Sequence, residues 1–242
     1  MLLRKIADAV KTAQNRSIPK CVGFLNPHER ACVLQYLQAN PAKHDFFGGY
    51  DGAQRVIFVA LPDWADDAQT LCPIRTVQFI FKPEFSLSHR DFLGTFMSLG
   101  ITREKVGDIL VGTGQAIAFL HADIADYLVS QIEKIGGVGV QIDPDFKGEI
   151  DYQQQFEAVQ ATVASARLDC VVGALCRISR EKASTVIAGG KVFLNQIECT
   201  NGAKKVRNGD VVTVRGTGQF LIDAVDTMTK KGRVRLLARK KS

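Results

Sequence analysis

Between positions 76 and 142 the chain alternates apolar runs with amphipathic segments in an order that few folds can use. The run 76–81 (Thr76, Val77, Gln78, Phe79, Ile80, Phe81) has the length and composition of a strand. Ser88 then caps a helix, with Asp91 at the position that reaches back to the cap. Phe92, Leu93, Phe96, Met97 and Leu99 form the helix's apolar side before Gly100 ends it. Two strands follow, 106–111 and 115–120, joined by Gly112-Thr113-Gly114. Ile124, Tyr127, Leu128, Ile132 and Ile135 recur at helical spacing up to Gly136-Gly137, and 138–142 reads as a fourth strand. The order βαββαβ is that of a ferredoxin-like plait. Modules of that topology that stack bases carry exposed aromatics and a basic-glycine-aromatic motif on a central strand. The run 106–111 has neither, so this plait is expected to be a docking surface or scaffold rather than a base-stacking sheet.

The flanking segments fit an α+β protein. Leu2, Leu3, Ile6, Val10 and Ala13 lie near one face of an opening helix, and 21–25 is a short apolar strand. Asn26, Pro27 and Glu29 make a helix start with cap, first-turn proline and reciprocal glutamate, and the helix runs toward Gln38. The turn-rich stretch Phe46-Phe47-Gly48-Gly49-Tyr50-Asp51-Gly52 ahead of the apolar run 56–61 signals a hairpin. Polar stretches at 62–73 and 143–151 read as connections, and 156–163 as a strand. The expected division is therefore 1–73, a small α/β module; 74–150, the plait; and 165–242, a third, basic domain.

Charge separates that last domain from the rest. From Ser165 onward 16 Lys and Arg face 6 Asp and Glu, a net of +10, whereas the preceding residues carry −4. A domain this basic is suited to a polyanion, and RNA is the first candidate. Its cations fall at defined places. Arg167 precedes a helix with apolar face Leu168, Val171, Val172 and Leu175. Arg180 and Lys182 occupy the first turn of a second helix capped by Ser179, with Ala183, Val186 and Ile187 inward and Gly189-Gly190 after it. Lys191 opens the next strand, Asn195-Gln196 is a turn, and Lys204, Lys205 and Arg207 lie on the following loop, ahead of strands at 211–215 and 220–225. Cations in a helix's first turn oppose the macrodipole by a few tenths of a kcal/mol each, and the amides there favour an anion. A solvated basic surface is the plainer reading. Recurrence at two helix starts and two loops favours RNA.

Other chemistry finds little support. No run approaches 18 apolar residues, so no membrane span is expected, and the charged start lacks the apolar core of a signal peptide. Cys21, Cys32, Cys72, Cys170, Cys176 and Cys199 form no Cys-x-x-Cys pair and no zinc spacing with a His, which points to reduced thiols in the cytoplasm and to no metal. Gly112-x-Gly114 lacks the third glycine and the acidic partner of a dinucleotide loop. His121 and Asp123 read as a helix cap. His89-Arg90-Asp91 shares only its letters with the kinase catalytic triplet, and His89 and Arg90 are expected to face a partner. No cofactor and no catalytic residue are expected.

Arg167-Leu168-Asp169, Ile178-Ser179-Arg180 with Ala183, Gly190-Lys191-Val192 with Leu194-Asn195, and Gly209-Asp210-Val211-Val212 closely resemble the S-four RNA-binding domain (the alpha-L motif). The resemblance spans about 165–225 and implies an RNA surface on Arg180, Lys182, Lys191 and Asn195 with Arg167 nearby, while Asp169 braces the fold. Upstream, Phe46 to Tyr50, His89-Arg90-Asp91-Phe92-Leu93-Gly94 and Arg103-Glu104-Lys105-Val106-Gly107-Asp108-Ile109 resemble the bacterial YlmH family, departing from its pattern mainly at Ser88 and Phe92. That resemblance covers essentially the whole chain. It implies a non-enzymatic, monomeric, cytoplasmic factor in ribosome-associated quality control, which binds ribosomal RNA of the large subunit and steadies a peptidyl-tRNA. Two alternatives stand beside it: an accessory of RNA-modifying enzymes such as pseudouridine synthases, and an interaction protein linked to cell division.

Overall fold

The computed structural model describes residues 1–148, 156–225 and 232–241. They form two compact units, Met1–Tyr152 and Gln153–Ser242. The chain is α+β throughout.

The first unit begins with α1 (Leu2–Arg16), β1 (Lys20–Leu25), α2 (Pro27–Ala39), β2 (His44–Phe47) and β3 (Val56–Ala60). Asn26 caps α2 as its sequence suggests: Asn26 Oδ1 accepts from Glu29 N at 2.9 Å, and Glu29 Oε2 accepts from Asn26 N at 2.8 Å. The strands form an antiparallel sheet in the order β1-β3-β2. All five residues of β3 are buried, the signature of a central strand covered on both faces. One face takes Ile6, Ala9 and Ala13 of α1 with Val33 and Leu37 of α2.

The second half of this unit is the plait: β4 (Ile74–Ile80), α3 (His89–Ser98), a single 3-10 turn (Arg103–Lys105), β5 (Val106–Val111), β6 (Gln115–His121), α4 (Ala122–Gln131), a short hairpin β7 (Lys134–Ile135) and β8 (Val138–Gly139), and β9 (Gln141–Asp143). The sheet order is β5-β6-β4-β9, all pairs antiparallel, so the four strands of this sheet lie in the 2-3-1-4 order of a ferredoxin-like plait. Phe92 and Phe96 of α3 and Leu128 of α4 pack on Val77, Phe79 and Leu120.

The end of the plait departs from the sequence reading. α4 stops at Gln131, and Ile132 is extended (φ −96°, ψ 115°). Gly136 and Gly137, both at positive φ (54° and 84°), turn the β7–β8 hairpin instead of ending a helix. Ile132 and Ile135 are both buried in the same core, so a spacing of three looks helical but is met by extended backbone. The stretch 143–148, expected to be linker, is partly pinned: Phe146 N donates to Thr76 O at 3.1 Å and its ring joins the core.

The two sheets of this unit pack face to face. Phe24, Ile57 and Val59 of the first sheet meet Leu110, Ile117 and Phe119 of the plait. The joint is sealed by hydrogen bonds around Asp108. Its carboxylate accepts from Tyr50 Oη at 2.9 Å, Gln54 N at 2.6 Å and Arg55 N at 3.2 Å. Arg55 in turn donates to the carbonyls of Val106, Phe24 and Arg103 at 2.8–2.9 Å. The Tyr50 ring stacks on Phe119 at 4.8 Å between centroids. Gly49 sits at φ +98° with the Phe119 ring where a Cβ would be, 2.3 Å away, so no larger residue fits that turn.

Much of the sheet face that base-stacking modules leave open is thus filled by apolar side chains. At the far end of that face Gln78 pairs with Gln115 at 2.9 Å and Ile80 stays 44% exposed. Phe119→Ala should destabilise the first unit by about 3–5 kcal/mol, whereas Ile80→Ala should change it by less than about 0.5 kcal/mol. Urea unfolding of the two variants checks the contrast.

Candidate nucleic-acid interface

The second unit comprises β10 (Phe156–Val163), α5 (Leu168–Cys176), α6 (Arg180–Ala188), β11 (Val192–Leu194), β12 (Ile197–Glu198), β13 (Val211–Val214), β14 (Gly218–Ala224) and β15 (Val234–Lys241). Its sheet runs β10-β15-β14-β13-β11-β12. Leu168, Val171, Val172 and Ile187 of the two helices pack on its inner face against Phe220, Ile222 and Leu236. α5 ends where Arg177 turns left-handed (φ 55°) and Ile178 N donates back to Gly173 O at 2.9 Å. Ser179 then caps α6, its Oγ accepting from Lys182 N at 3.3 Å. This tight connection brings the start of α6 against the start of α5.

At that meeting point lies Asp169, 4% exposed. Its carboxylate accepts from Arg167 Nε and Nη2 (3.2 and 2.8 Å), Arg180 Nε and Nη2 (3.1 and 2.9 Å) and Cys170 N (2.8 Å). Arg167 first, then Arg180, hold its pKa well below the ordinary carboxylate range against the opposing effect of burial. Arg167 is raised by the same contact. The loop 201–206 is clamped to the same spot. Leu168 N donates to Lys204 O (2.9 Å), Asp169 N to Gly202 O (3.0 Å) and Val206 N to Ala166 O (2.8 Å), and Arg167 and Lys205 form an antiparallel bridge. A Cβ on Gly202 would press on Asp169 Cβ at 3.3 Å, so glycine permits the close approach.

The structure therefore sets Arg167 and Arg180 on one carboxylate and clamps the backbone of Lys204 and Lys205 beside it, with Lys182 exposed on the adjoining helical turn. Lys182, Lys204 and Lys205 have no ion-pair partner among the described residues. The other expected contacts sit elsewhere. Asn195 is engaged at both ends of its amide: Nδ2 donates to Asp210 Oδ1 and Oδ1 accepts from Val211 N, each at 2.9 Å. With φ 52° it anchors the β11–β12 turn, a position that favours Asn. Arg207 N donates to the other oxygen of Asp210 at 2.8 Å, which leaves its guanidinium exposed. Lys191 stands at the opposite end of β11, its carbonyl accepting from Arg215 N at 2.9 Å.

Sequence reading passed over the cations of the outer sheet face. Arg215 lies over Phe193 and Arg239 over Phe156, both at 5.0 Å, and Arg239 also pairs with Asp223 at 2.9 Å. The available signal was the alternation along β15, which buries Leu236 and Ala238 and leaves Arg235 and Arg239 exposed.

In the plait, Ser88 N and Oγ both donate to Asp91 Oδ2 at 2.7 Å, which places His89 and Arg90 in the first turn of α3. Partial burial, then the Arg103 guanidinium, lowers the His89 pKa, which favours the neutral imidazole. The β7–β8 turn lies against the same end, with Gly136 beside Asp91.

Fold and surface together define an α+β protein whose most developed chemical feature is a rigidly held cationic face. Residues 73–149, the plait, match the family profile described as "Putative RNA-binding domain in YlmH". The chain is 27% identical over 219 residues to "Ribosome-associated protein quality control protein P2" of Bacillus subtilis, covering 90% of this chain and 85% of that protein. It shares its fold with the solved structure of "Cell division protein ylmH" from Streptococcus pneumoniae, at a TM-score of 0.52 and 19% identity, over 59% of this chain and 87% of that one. The chain is thus similar to the YlmH family, in sequence over the plait and in fold over the part shared with the solved structure.

Because the folded-state pKa of Asp169 is depressed, its contribution is complete above the unfolded carboxylate range and is lost as pH falls through the folded value. Asp169→Asn should cost about 1.5–3 kcal/mol at neutral pH, an estimate kept low because both arginines are partly solvated. The difference from the native protein should shrink below about pH 4. Denaturant unfolding of both proteins across that range measures it.

Proposed function

We propose that this chain is a non-enzymatic RNA-binding factor of ribosome-associated quality control. In this reading it engages ribosomal RNA of the large subunit and a peptidyl-tRNA, acts in the cytoplasm and works as a monomer. The observation that carries the reading is the pair Arg167 and Arg180 fixed on Asp169, with the loop that bears Lys204 and Lys205 clamped beside it. Guanidinium forks fixed in place recognise phosphate bidentately, and lysines beside them add charge without geometry. The match of this region's motifs to the S-four domain points the same way, as does the name of the Bacillus subtilis relative. Lys182, Lys191 and Arg207 extend the proposed surface. Asn195 contributes by fixing the hairpin.

The plait contributes by another route. Its sheet face is largely filled, so RNA would meet its helices and edges, where Arg90 stands at the start of α3. His89 and Arg90 are accordingly assigned to partner contact.

The lysines separate binding from stability because none of the three ammonium groups is ion-paired among the described residues. Combined Lys182→Ala, Lys204→Ala and Lys205→Ala should leave the melting temperature nearly unchanged. Ribosome co-sedimentation should weaken by roughly tenfold or more, and the salt dependence should flatten by about 0.9 in log–log slope for each phosphate that is no longer neutralised. Undiminished co-sedimentation would remove this surface from the proposal. Modified nucleosides appearing in total RNA incubated with the protein would replace it with an RNA-modifying activity.

A further inference from the structure

The sheet of the second unit has two faces of unlike character. α5 and α6 cover one, where Phe220, Ile222 and Leu236 are buried. On the other, burial alternates along the outer strands, so that Phe156, Ala158, Gln160 and Thr162 of β10 and Arg235 and Arg239 of β15 stand at the surface. Strand register lines up a row across this face. Phe156 is opposite Lys241, and Gln219 adjoins Lys241 one step beyond the Phe220–Lys240 pair. Gln219 is opposite Thr213, and Thr213 is opposite Phe193. The row covers four strand spacings, about 19 Å, with a phenylalanine at each end. Each ring carries a guanidinium from the neighbouring strand or its end: Arg239 over Phe156 and Arg215 over Phe193, both at 5.0 Å. Between them Gln219 Nε2 donates to Thr213 Oγ1 at 3.3 Å.

We propose that this face is a stacking platform for the unpaired bases of single-stranded RNA. The inference rests on the RNA-binding role proposed above and gives it a second, chemically different surface, on the side of the sheet that α5 and α6 leave uncovered. Bases released from a helix stack on aromatic rings and on guanidinium planes, and they do so with little regard to sequence. Two Phe–Arg pairs offer both kinds of surface, and the Phe156 ring is 40% exposed. Gln219 and Thr213 stand between the pairs as polar groups for base edges and 2′-hydroxyls. Charge favours the same occupant. Arg215, Arg235, Arg239 and Lys241 stand against Glu198, opposite Phe193, and Asp223, whose carboxylate Arg239 takes at 2.9 Å. Arg235 has no ion-pair partner among the described residues. That excess suits the phosphates that accompany the bases. An apolar protein surface would have to strip water from the guanidiniums that cover both rings, whereas RNA engages them as they stand.

Ultraviolet crosslinking of the native full-length chain to an oligouridylate, followed by digestion and sequencing of the linked peptides, locates the bases. The expected links are at Phe156, Phe193 or both. Absence of a link at both rings overturns the proposal, whether or not α5, α6 or the loop 201–206 is linked. Titration of the same oligouridylate, labelled and followed by fluorescence anisotropy, gives a second measurement. Phe156→Ala, at an exposed edge-strand position, should lower the affinity by roughly tenfold with no change in the salt slope, because a stacking contact and no phosphate contact is lost. Unchanged affinity overturns the proposal, and if ribosome co-sedimentation falls at the same time the face belongs to a protein contact instead. The combined lysine variant, by contrast, should flatten the salt slope for the oligouridylate. Should it leave that slope unchanged while Phe156→Ala weakens binding, the helix-side surface falls and the stacking face stands.

Discussion

One buried carboxylate organises the cationic unit. Asp169 receives both arginines and a backbone amide, and its own N–H reaches the loop that carries Lys204 and Lys205. Remove that carboxylate and the starts of α5 and α6 lose their common counter-charge, while the loop 201–206 keeps only its backbone bonds to the same spot. Cations at two helix starts, unfavourable toward the helix dipoles, are tolerated because they share this counter-charge. A burial that would normally penalise an ionised group is offset by two charge-assisted hydrogen-bond pairs.

The first unit is governed by a different economy of space. β3 has no solvated face, and the plait has surrendered part of the sheet surface that its topology would otherwise offer. Asp108, Tyr50, Arg55 and Arg103 close the joint. Burial and the neighbouring Arg55 pull the Arg103 guanidinium down to about 10. The stretches Phe46 to Tyr50 and Arg103 to Ile109, on which the likeness to the YlmH family rests, supply this joint. Their role in this structure is to hold two layers together.

Alternation and capping made most of the elements readable. Asn26 with Glu29, Ser88 with Asp91, and Ser179 each start a helix where the sequence placed it. The strand order of the plait followed from six elements in the right succession. Two things were not readable. Ile132 and Ile135 satisfied a helical spacing while adopting extended backbone, because burial in the same core rewards either conformation. The coverage of the sheet face depends on residues more than fifty positions apart, as Tyr50 and Asp108 are, and no local pattern reports such a distance. In the cationic unit the residue types were legible but not their partners. Asn195, read as a contact residue, also anchors the β11–β12 turn, and Asp169, read as a brace, receives both arginines.

The sharing of one acid between two guanidiniums has a thermodynamic side. A free arginine gives up about 2 kcal/mol of rotamer entropy when it is immobilised. In Arg167 and Arg180 much of that loss is incurred during folding, since two of the five N–H donors on each fork already point inward. The remaining donors face outward with their directions set. Lys204 and Lys205, by contrast, keep their freedom until something restrains them. The two arginines are thus suited to dictating the orientation of an incoming anionic backbone, and the lysines to supplying the ion-strength-sensitive part of its attraction.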